Sequence, residues 1–257
     1  MSDLFSVEGK TALVTGGSRG IGQMIAAGFA TAGARVYISS RKAQVCEQVA
    51  AELRAAGGTC YAIPADLSSE QACRHLASAV GDATGGRLDI LVNNAGATWG
   101  APLAEHDEAS FERVLALNVK AVFHLTKFAL PLLQAAGSAA EPSRVLNIGS
   151  IDGLGVPSLE TYSYSASKAA VHHLTRHLAK VLAPSVTVNA IAPGPFESKM
   201  MAVTLAAFGE QIAASAPLQR IGRPEDMAGT AIFLSSRAAS YITGAVIPVD
   251  GGMATCR

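Results

Sequence analysis

Seven short apolar runs punctuate this chain of 257 residues, and a helix-length stretch separates most neighbouring runs. No other feature restricts the fold as much. The runs are Lys10 to Thr15, Arg35 to Ser39, Thr59 to Pro64, Leu88 to Val92, Arg144 to Gly149, Val186 to Ile191 and Val246 to Val249. Short apolar runs bounded by Gly, Pro, Asn and Ser read as buried strands. Helical patterns lie between them: Gln23 to Ala32 closed by Gly33, Val45 to Ala56 before Gly57-Gly58, Glu70 to Val80, and a long one over Ala109 to Leu133. Further on, a helix carrying Tyr164 continues from Ser167 to Ala183, and another runs from Arg223 to Ser235 with Pro224 near its first turn. Strand–helix alternation predicts an α/β fold, a parallel sheet of about seven strands with helices on both faces.

No repeat, low-complexity tract or linker divides the chain, so residues 1–257 read as one domain. A small lid over an apolar substrate is expected at about 196–216, where Met200 to Ala216 is rich in Met, Ala and Leu. A core helix is the other reading of that composition. Hydrophobic residues make up 49% of the chain, ample for a buried core. Twenty basic and twenty acidic side chains balance, which argues against nucleic acid or an anionic membrane as partner. No signal-peptide core opens the chain, and the richest apolar stretch, Val114 to Leu133, is broken by Asn118, Lys120, His124 and Lys127. Cysteines 46, 60, 73 and 256 form no C-x-x-C pair and no metal spacing, so free thiols in a cytoplasmic setting are expected, with no metal. His173 and His177 are four apart but lack a third ligand, and read as packing residues.

Chemistry-bearing residues collect just after the strands. T-G-G-S-R-G-I-G, residues 15–22, follows the first strand with Gly16, Gly20 and Gly22 in G-x-x-x-G-x-G spacing. Glycines there allow a tight turn and close approach of backbone to a phosphate, with a helix N-terminus facing the anion. An acidic residue after the second strand would bind an adenosine ribose and select NAD. Ser40 holds that slot and Arg41 follows, a pairing that suits the 2′-phosphate of NADP(H) over NAD(H), with Arg19 pointing the same way. Asp66, after the third strand, either bonds an adenine amino group or caps the next helix. Asn93-Asn94-Ala95-Gly96 ends the fourth strand, where open α/β sheets bind ligands. Asn118 interrupts an apolar helix face, as a satisfied core amide, a kink, or a holder of a carbonyl or water.

Ser150 ends the fifth strand, and Tyr164 and Lys168 follow one helical turn apart. A free phenol, with a pKa of about 10, is a poor proton donor at neutrality. A neighbouring ammonium favours the phenolate, and a shift of three units would take roughly 4 kcal/mol. The trio reads as a general acid–base device aimed at a carbonyl or alcohol.

The motifs T-G-G-S-R-G-I-G (15–22), A-D-L (65–67), N-N-A-G (93–96), L-N-V (117–119), I-G-S (148–150), Y-S-A-S-K (164–168), A-P-G (192–194) and D-G-G (250–252) resemble, in that order and over essentially the whole chain, the short-chain dehydrogenase/reductase family. The resemblance is nearest to its 3-oxoacyl-thioester reductases and implies a Rossmann-type, doubly wound sheet. It implies that Tyr164 gives a proton to the substrate oxygen, that Lys168 binds the nicotinamide ribose and lowers the tyrosine pKa, that Ser150 positions the carbonyl, and that Asn118 holds a water leading to Lys168. Gly16, Ser18, Arg19, Gly20, Ile21 and Gly22 would cradle the pyrophosphate side, and Asp66 and Leu67 would meet adenine. Asn93, Ala95 and Gly96 would line the cofactor cleft, and Pro193, Gly194 and Phe196 would abut the nicotinamide. Ser198 stands where threonine is usual and would bond the carboxamide, while Phe196 replaces an aliphatic and would reshape the pocket. Gly137 and Ser185 fall near places where carrier-protein-dependent relatives hold basic residues, which leaves a coenzyme A thioester or another ketone open. A homotetramer or homodimer is implied. The alternatives are a sugar, steroid or other secondary-alcohol dehydrogenase and, from another class, a cofactor-sensing protein without turnover, whose mark would be a damaged Ser–Tyr–Lys set.

Overall fold

The computed structural model describes residues 2–199 and 201–256. The expected strands are β1 (Thr11–Thr15), β2 (Arg35–Ser39), β3 (Thr59–Ala62), β4 (Ile90–Asn93), β5 (Ser143–Ile148), β6 (Val186–Pro193) and β7 (Val246–Val249). The helices are α1 (Gly20–Thr31), α2 (Ala43–Ala55), α3 (Glu70–Thr84), α4 (Glu108–Leu115), α5 (Ala121–Ala136), α6 (Tyr162–Leu182), α7 (Ala202–Ser215) and α8 (Pro224–Ser235). The sheet has seven strands in the order β3-β2-β1-β4-β5-β6-β7, every pair parallel. It is a Rossmann-type α/β fold. From β1 the chain winds outward through β2 and β3, then returns to lay β4 on the other side of β1. That reversal opens a crevice beyond the carboxyl ends of β1 and β4, the place where doubly wound sheets bind ligands.

Alternation along the strands divides the core between the two faces. Ala12 and Val14 of β1 pack with Ile25 and Phe29 of α1, Val49 and Ala50 of α2, and Met227, Ala231 and Leu234 of α8. Leu13, Leu91 and Val145 face the other way, onto Leu76 and Val80 of α3, Leu125, Ala129 and Leu133 of α5, and Ala179 and Leu182 of α6. All six residues of β5 and all eight of β6 are buried, as expected for strands covered on both faces.

The long helix expected over Ala109 to Leu133 is not uniform. α4 and α5 are joined by a π turn, Ala116–Lys120, closed by Ala121 N–H donating to the Ala116 carbonyl. The combined rod, Glu108–Ala136, is long and apolar enough to cross a membrane by length and composition, which revises the reading of Val114 to Leu133. Leu125, Ala129 and Leu133 nonetheless lie in the core under the sheet. β3 stops at Ala62, short of Pro64, and β6 runs on to Pro193 because β7 pairs with it there. Met200 lies outside the described residues. α7 buries none of its side chains, with Val203 83% and Phe208 57% exposed, so the core-helix reading of this segment fails. Its backbone departs from helical geometry at Phe208.

Candidate active site

Ser150, Tyr164 and Lys168 meet at the carboxyl edge of the sheet. β5 delivers Ser150 into a short turn, Ile151–Gly153, whose Asp152 N–H donates to Ser150 Oγ at 3.1 Å. α6 carries the phenol and the ammonium on one face. Lys168 is buried, its Nζ donates to the Ile148 carbonyl at 2.7 Å, and it sits 5.4 Å from the centre of the Tyr164 ring. The expectation that Lys168 draws the phenol pKa down is not met. Burial pushes Tyr164 up to about 12; the Ser150 hydroxyl beside it pulls the other way, and Asp152 adds to the rise. Among the described residues the ammonium donates to a carbonyl on β5 and not to the phenol oxygen, so desolvation wins. Burial also lowers Lys168 to about 8 against the opposing pull of Asp152, and burial raises the Asp152 carboxyl despite Lys168.

Asn118 occupies the π turn and is buried. Its Oδ1 accepts from Ala97 N–H at 2.8 Å, and its Nδ2 donates to the Ala97 carbonyl and to Ser167 Oγ, both at 2.9 Å. Both amide protons are committed, so the side chain ties the loop after β4 to α6 and has no proton left to give a water. The core-amide reading holds.

The glycine turn after β1 is held by side-chain bonds between Thr15 and the asparagine run after β4, a tie that the motifs do not spell out. Thr15 Oγ1 accepts from the N–H groups of Asn94 and Ala95 at 2.9 and 3.0 Å, and Asn94 Nδ2 donates to the Thr15 carbonyl at 2.8 Å. A Cβ on Gly22 would lie 2.3 Å from Asn94 Nδ2, and one on Gly16, where φ is +65°, would lie 2.7 Å from the same atom. Gly20 faces Ser198 across the turn, whose own Oγ accepts from Met201 N–H at 3.2 Å. Two signals were available: a threonine immediately before the glycines, and a doubled asparagine at the end of the neighbouring strand.

The cradle fits a dinucleotide. α1 starts at Gly20 with no side chain capping its first N–H groups, which leaves donors for an anion. Ser18 is buried in the turn and Ile21 is half-buried. Arg19 and Arg41 are exposed and make no ion pair among the described residues. Ser40 is half-buried beside Arg41. Asp66 is exposed and accepts from Ser68 N–H at 3.2 Å; the cap of α3 is Ser69, so the capping reading of Asp66 fails. At the far wall β6 ends in Pro193, and Gly194 N–H donates to the Val249 carbonyl at 3.0 Å. Gly96 lies against Asn118, and Ala95 packs on the second core cluster.

Three expected contacts point elsewhere. Leu67 is buried in the core, so its side chain does not meet adenine. Phe196 is 2% exposed and its ring covers Gly222, so it does not reshape the pocket. Asn93 turns its side chain beneath the sheet rather than into the cleft. Its Nδ2 donates to Thr126 Oγ1 at 3.1 Å and Asn147 Oδ1 at 2.9 Å, and Asn147 Nδ2 donates to Thr175 Oγ1 at 2.9 Å. This chain of side chains links β4, β5, α5 and α6. Asp152 was missed altogether; its place two residues after Ser150 was the available clue. Gly137 and Ser185 touch each other at the amino ends of β5 and β6, on the sheet edge away from Ser150. The described residues hold no group of three His, Cys, Asp or Glu able to bind a metal, and His173 and His177 are exposed.

Residues 16–254 match the family model described as enoyl-(acyl carrier protein) reductase. The rhamnolipids biosynthesis 3-oxoacyl-[acyl-carrier-protein] reductase of Pseudomonas aeruginosa is 51% identical over 256 residues, covering 98% of this chain and 99% of that protein. The 7alpha-hydroxysteroid dehydrogenase of Escherichia coli K12 is 36% identical, covering 98% and 96%. Among solved structures, the Pseudomonas aeruginosa RhlG/NADP active-site complex superposes with a TM-score of 0.95 at 50% identity, covering 99% of this chain and all of that one.

Proposed function

This chain belongs to the short-chain dehydrogenase/reductase family, and on that footing we propose that it is an NADPH-dependent oxidoreductase that reduces the ketone of a 3-oxoacyl thioester to a secondary alcohol. The observation that carries this reading is the meeting of Ser150, Tyr164 and Lys168 beside a glycine cradle with uncapped helix N–H groups. When bound, NADPH supplies the hydride. The N-terminus of α1 and Arg19 hold its pyrophosphate, and Arg41, with Ser40, takes the 2′-phosphate. Asp66 meets adenine, and Pro193, Gly194 and Ser198 wall the nicotinamide end.

Ser150 donates its hydroxyl proton to the ketone oxygen and holds it beside the phenol. Tyr164, with its pKa near 12, keeps its proton at neutral pH, as a donor must. The proton leaves when negative charge gathers on the ketone oxygen, a stronger base than the phenolate. Lys168, with a pKa of about 8, is mostly ammonium at pH 7 and restores charge balance beneath the ring. Asn118 holds the loop after β4 against α6. α7, together with the segment before it, serves as an apolar lid at about 196–216; exposed Val203 and Phe208 suit an acyl chain. The exposed apolar residues Phe123 of α5 and Val181 of α6 fit a homodimer or homotetramer, and free cysteines fit the cytoplasm.

The test is NADPH oxidation over 3-oxoacyl-coenzyme A, the same acyl group on a carrier protein, simple ketones, keto sugars and oxosteroids. The highest kcat/KM is expected with a thioester, and higher with NADPH than NADH. A sugar or steroid ahead of every thioester would replace the substrate assignment, and no oxidation with any would return the chain to the class of cofactor sensors.

A further inference from the structure

His172 has no part in the scheme above, yet it lies directly behind it. It is 3% exposed, on α6, one turn beyond Lys168. Two glycines close on its ring. Gly149, the residue before Ser150, has no room for a side chain: a Cβ there would lie 2.1 Å from His172 Nε2. Gly153, the last residue of the Ser150 turn, would place a Cβ 2.8 Å from His172 Cε1 and 2.6 Å from the Lys168 carbonyl carbon. The turn is tied on its other flank, where Gly149 N–H donates to the Ile191 carbonyl of β6 at 2.7 Å. It is closed on itself by Gly153 N–H donating to the Ser150 carbonyl at 3.1 Å.

We propose that His172 is a positioning residue for the reduction, its flat ring wedged behind Gly149 and Gly153 so that the turn holds Ser150 Oγ at the height of the Tyr164 phenol. Two side-chain-free positions on either side of a reacting serine, both pressed on one planar group, set a narrower gap than a branched aliphatic side chain can fill. The surroundings of the ring favour its neutral form. Burial, with Lys168 and Arg176 on the same helix, lowers its pKa, and a backbone group of Gly153 opposes them. A neutral ring adds no charge of its own to those of Lys168 and Asp152 beside the Ser150–Tyr164 pair.

This inference rests on the roles given to Ser150 and Tyr164 above. Four variants separate the two: Tyr164→Phe, His172→Ala, His172→Leu and His172→Gln, each measured for kcat, KM for the preferred ketone and NADPH dissociation constant. A misplacement of about 1 Å is worth up to about 100-fold, so His172→Ala should lose about 10- to 100-fold in kcat, with NADPH affinity within about twofold of the parent. The flat, neutral amide of His172→Gln should recover most of that loss, and the volume-matched His172→Leu should not. Should His172→Ala fail to fold, the Gln–Leu contrast carries the same decision. Leu equal to or better than Gln, or an Ala variant with unchanged kcat, overturns the proposal. A parallel loss of NADPH affinity in His172→Ala also overturns it, since that marks general collapse of the site. An active Tyr164→Phe instead removes the catalytic reading itself.

Discussion

The two halves of the sheet meet the same crevice with different materials. On the β1–β2–β3 side the crevice is lined largely by backbone, the glycine turn and the first N–H groups of α1. Apolar side chains such as Val14, Ile25, Phe29, Val36 and Ile38 support it from below. On the β4–β5–β6 side the working groups are side chains, and polar ones run beneath them: Thr126, Asn93, Asn147 and Thr175, joined end to end. Thr126 and Thr175 return their own protons to carbonyls one turn back on α5 and α6, at 2.7 and 2.8 Å. Gripping a polyanion takes donors and open space, which the main chain provides wherever it curls tightly. Aiming a proton takes a helix that cannot slide along its strand. Apolar contact is non-directional and permits sliding; a bonded asparagine does not.

The largest expected effect falls on the side-chain half. Tyr164→Phe should lose at least about 10²–10⁴-fold in turnover while NADPH still titrates normally by fluorescence; near-parental turnover would break the division between the halves. On the backbone half, Arg41→Ala should weaken NADPH by about 2–3 kcal/mol and leave NADH binding unchanged. Equal losses for both cofactors would show that Arg41 does not read the 2′-phosphate. A matched pair sharpens the contrast further. Asn147→Leu and Val36→Ala should each cost about 1–3 kcal/mol in urea unfolding, but only Asn147→Leu should lower kcat, because only that change frees α6 relative to β5.

The remaining effect is one of pH. Lys168 titrates near 8 when folded and near 10.5 when free, so between those values the unfolded chain holds the extra proton and stability rises with pH. Tyr164 runs the other way: from 10 to about 12 the folded protein holds the extra proton, and stability falls. Subtracting the Lys168→Met unfolding curve from the parental one should therefore leave a rise from pH 8 towards 10.5. Subtracting Tyr164→Phe should leave a decline above pH 10. A flat difference for either variant would mean the group is solvated in the folded protein.

The order of elements and the crevice were legible in the chain because both follow from local pattern. Short apolar runs keep their strand identity whatever packs on them, and glycines after a strand restrict the turn wherever it occurs. The direction of a side chain at a strand end was harder to read, since it depends on counting the pleat from a buried neighbour. Asn93 shares a face with Leu91, two residues back, and Asn147 with Val145; that parity sends both amides under the sheet. Leu67 and Phe196 went astray for a related reason, because a motif position says which backbone approaches the ligand and leaves the side chain to the nearest core. The tyrosine pKa could not be read from spacing alone. A lysine one turn away raises the prospect of a phenolate, but the balance turns on how deeply the ring is buried and on where the ammonium's hydrogen bond goes.

The π turn at Ala116–Lys120 adds one residue to a helical rod, and one residue rotates everything after it by about 100°. The rod therefore has two azimuths, one for α4 and one for α5. Val114 is directed by the first and Leu125, Ala129 and Leu133 by the second; in a single continuous α-helix Val114 and Leu125, eleven residues apart, would lie within about 20° of each other, and the added residue turns them apart. Removing any one residue from the turn would swing Asn118 out of reach of Ala97 or turn the lower half of the rod away from the sheet. The fold thus tolerates substitution along this rod far better than a change in its length.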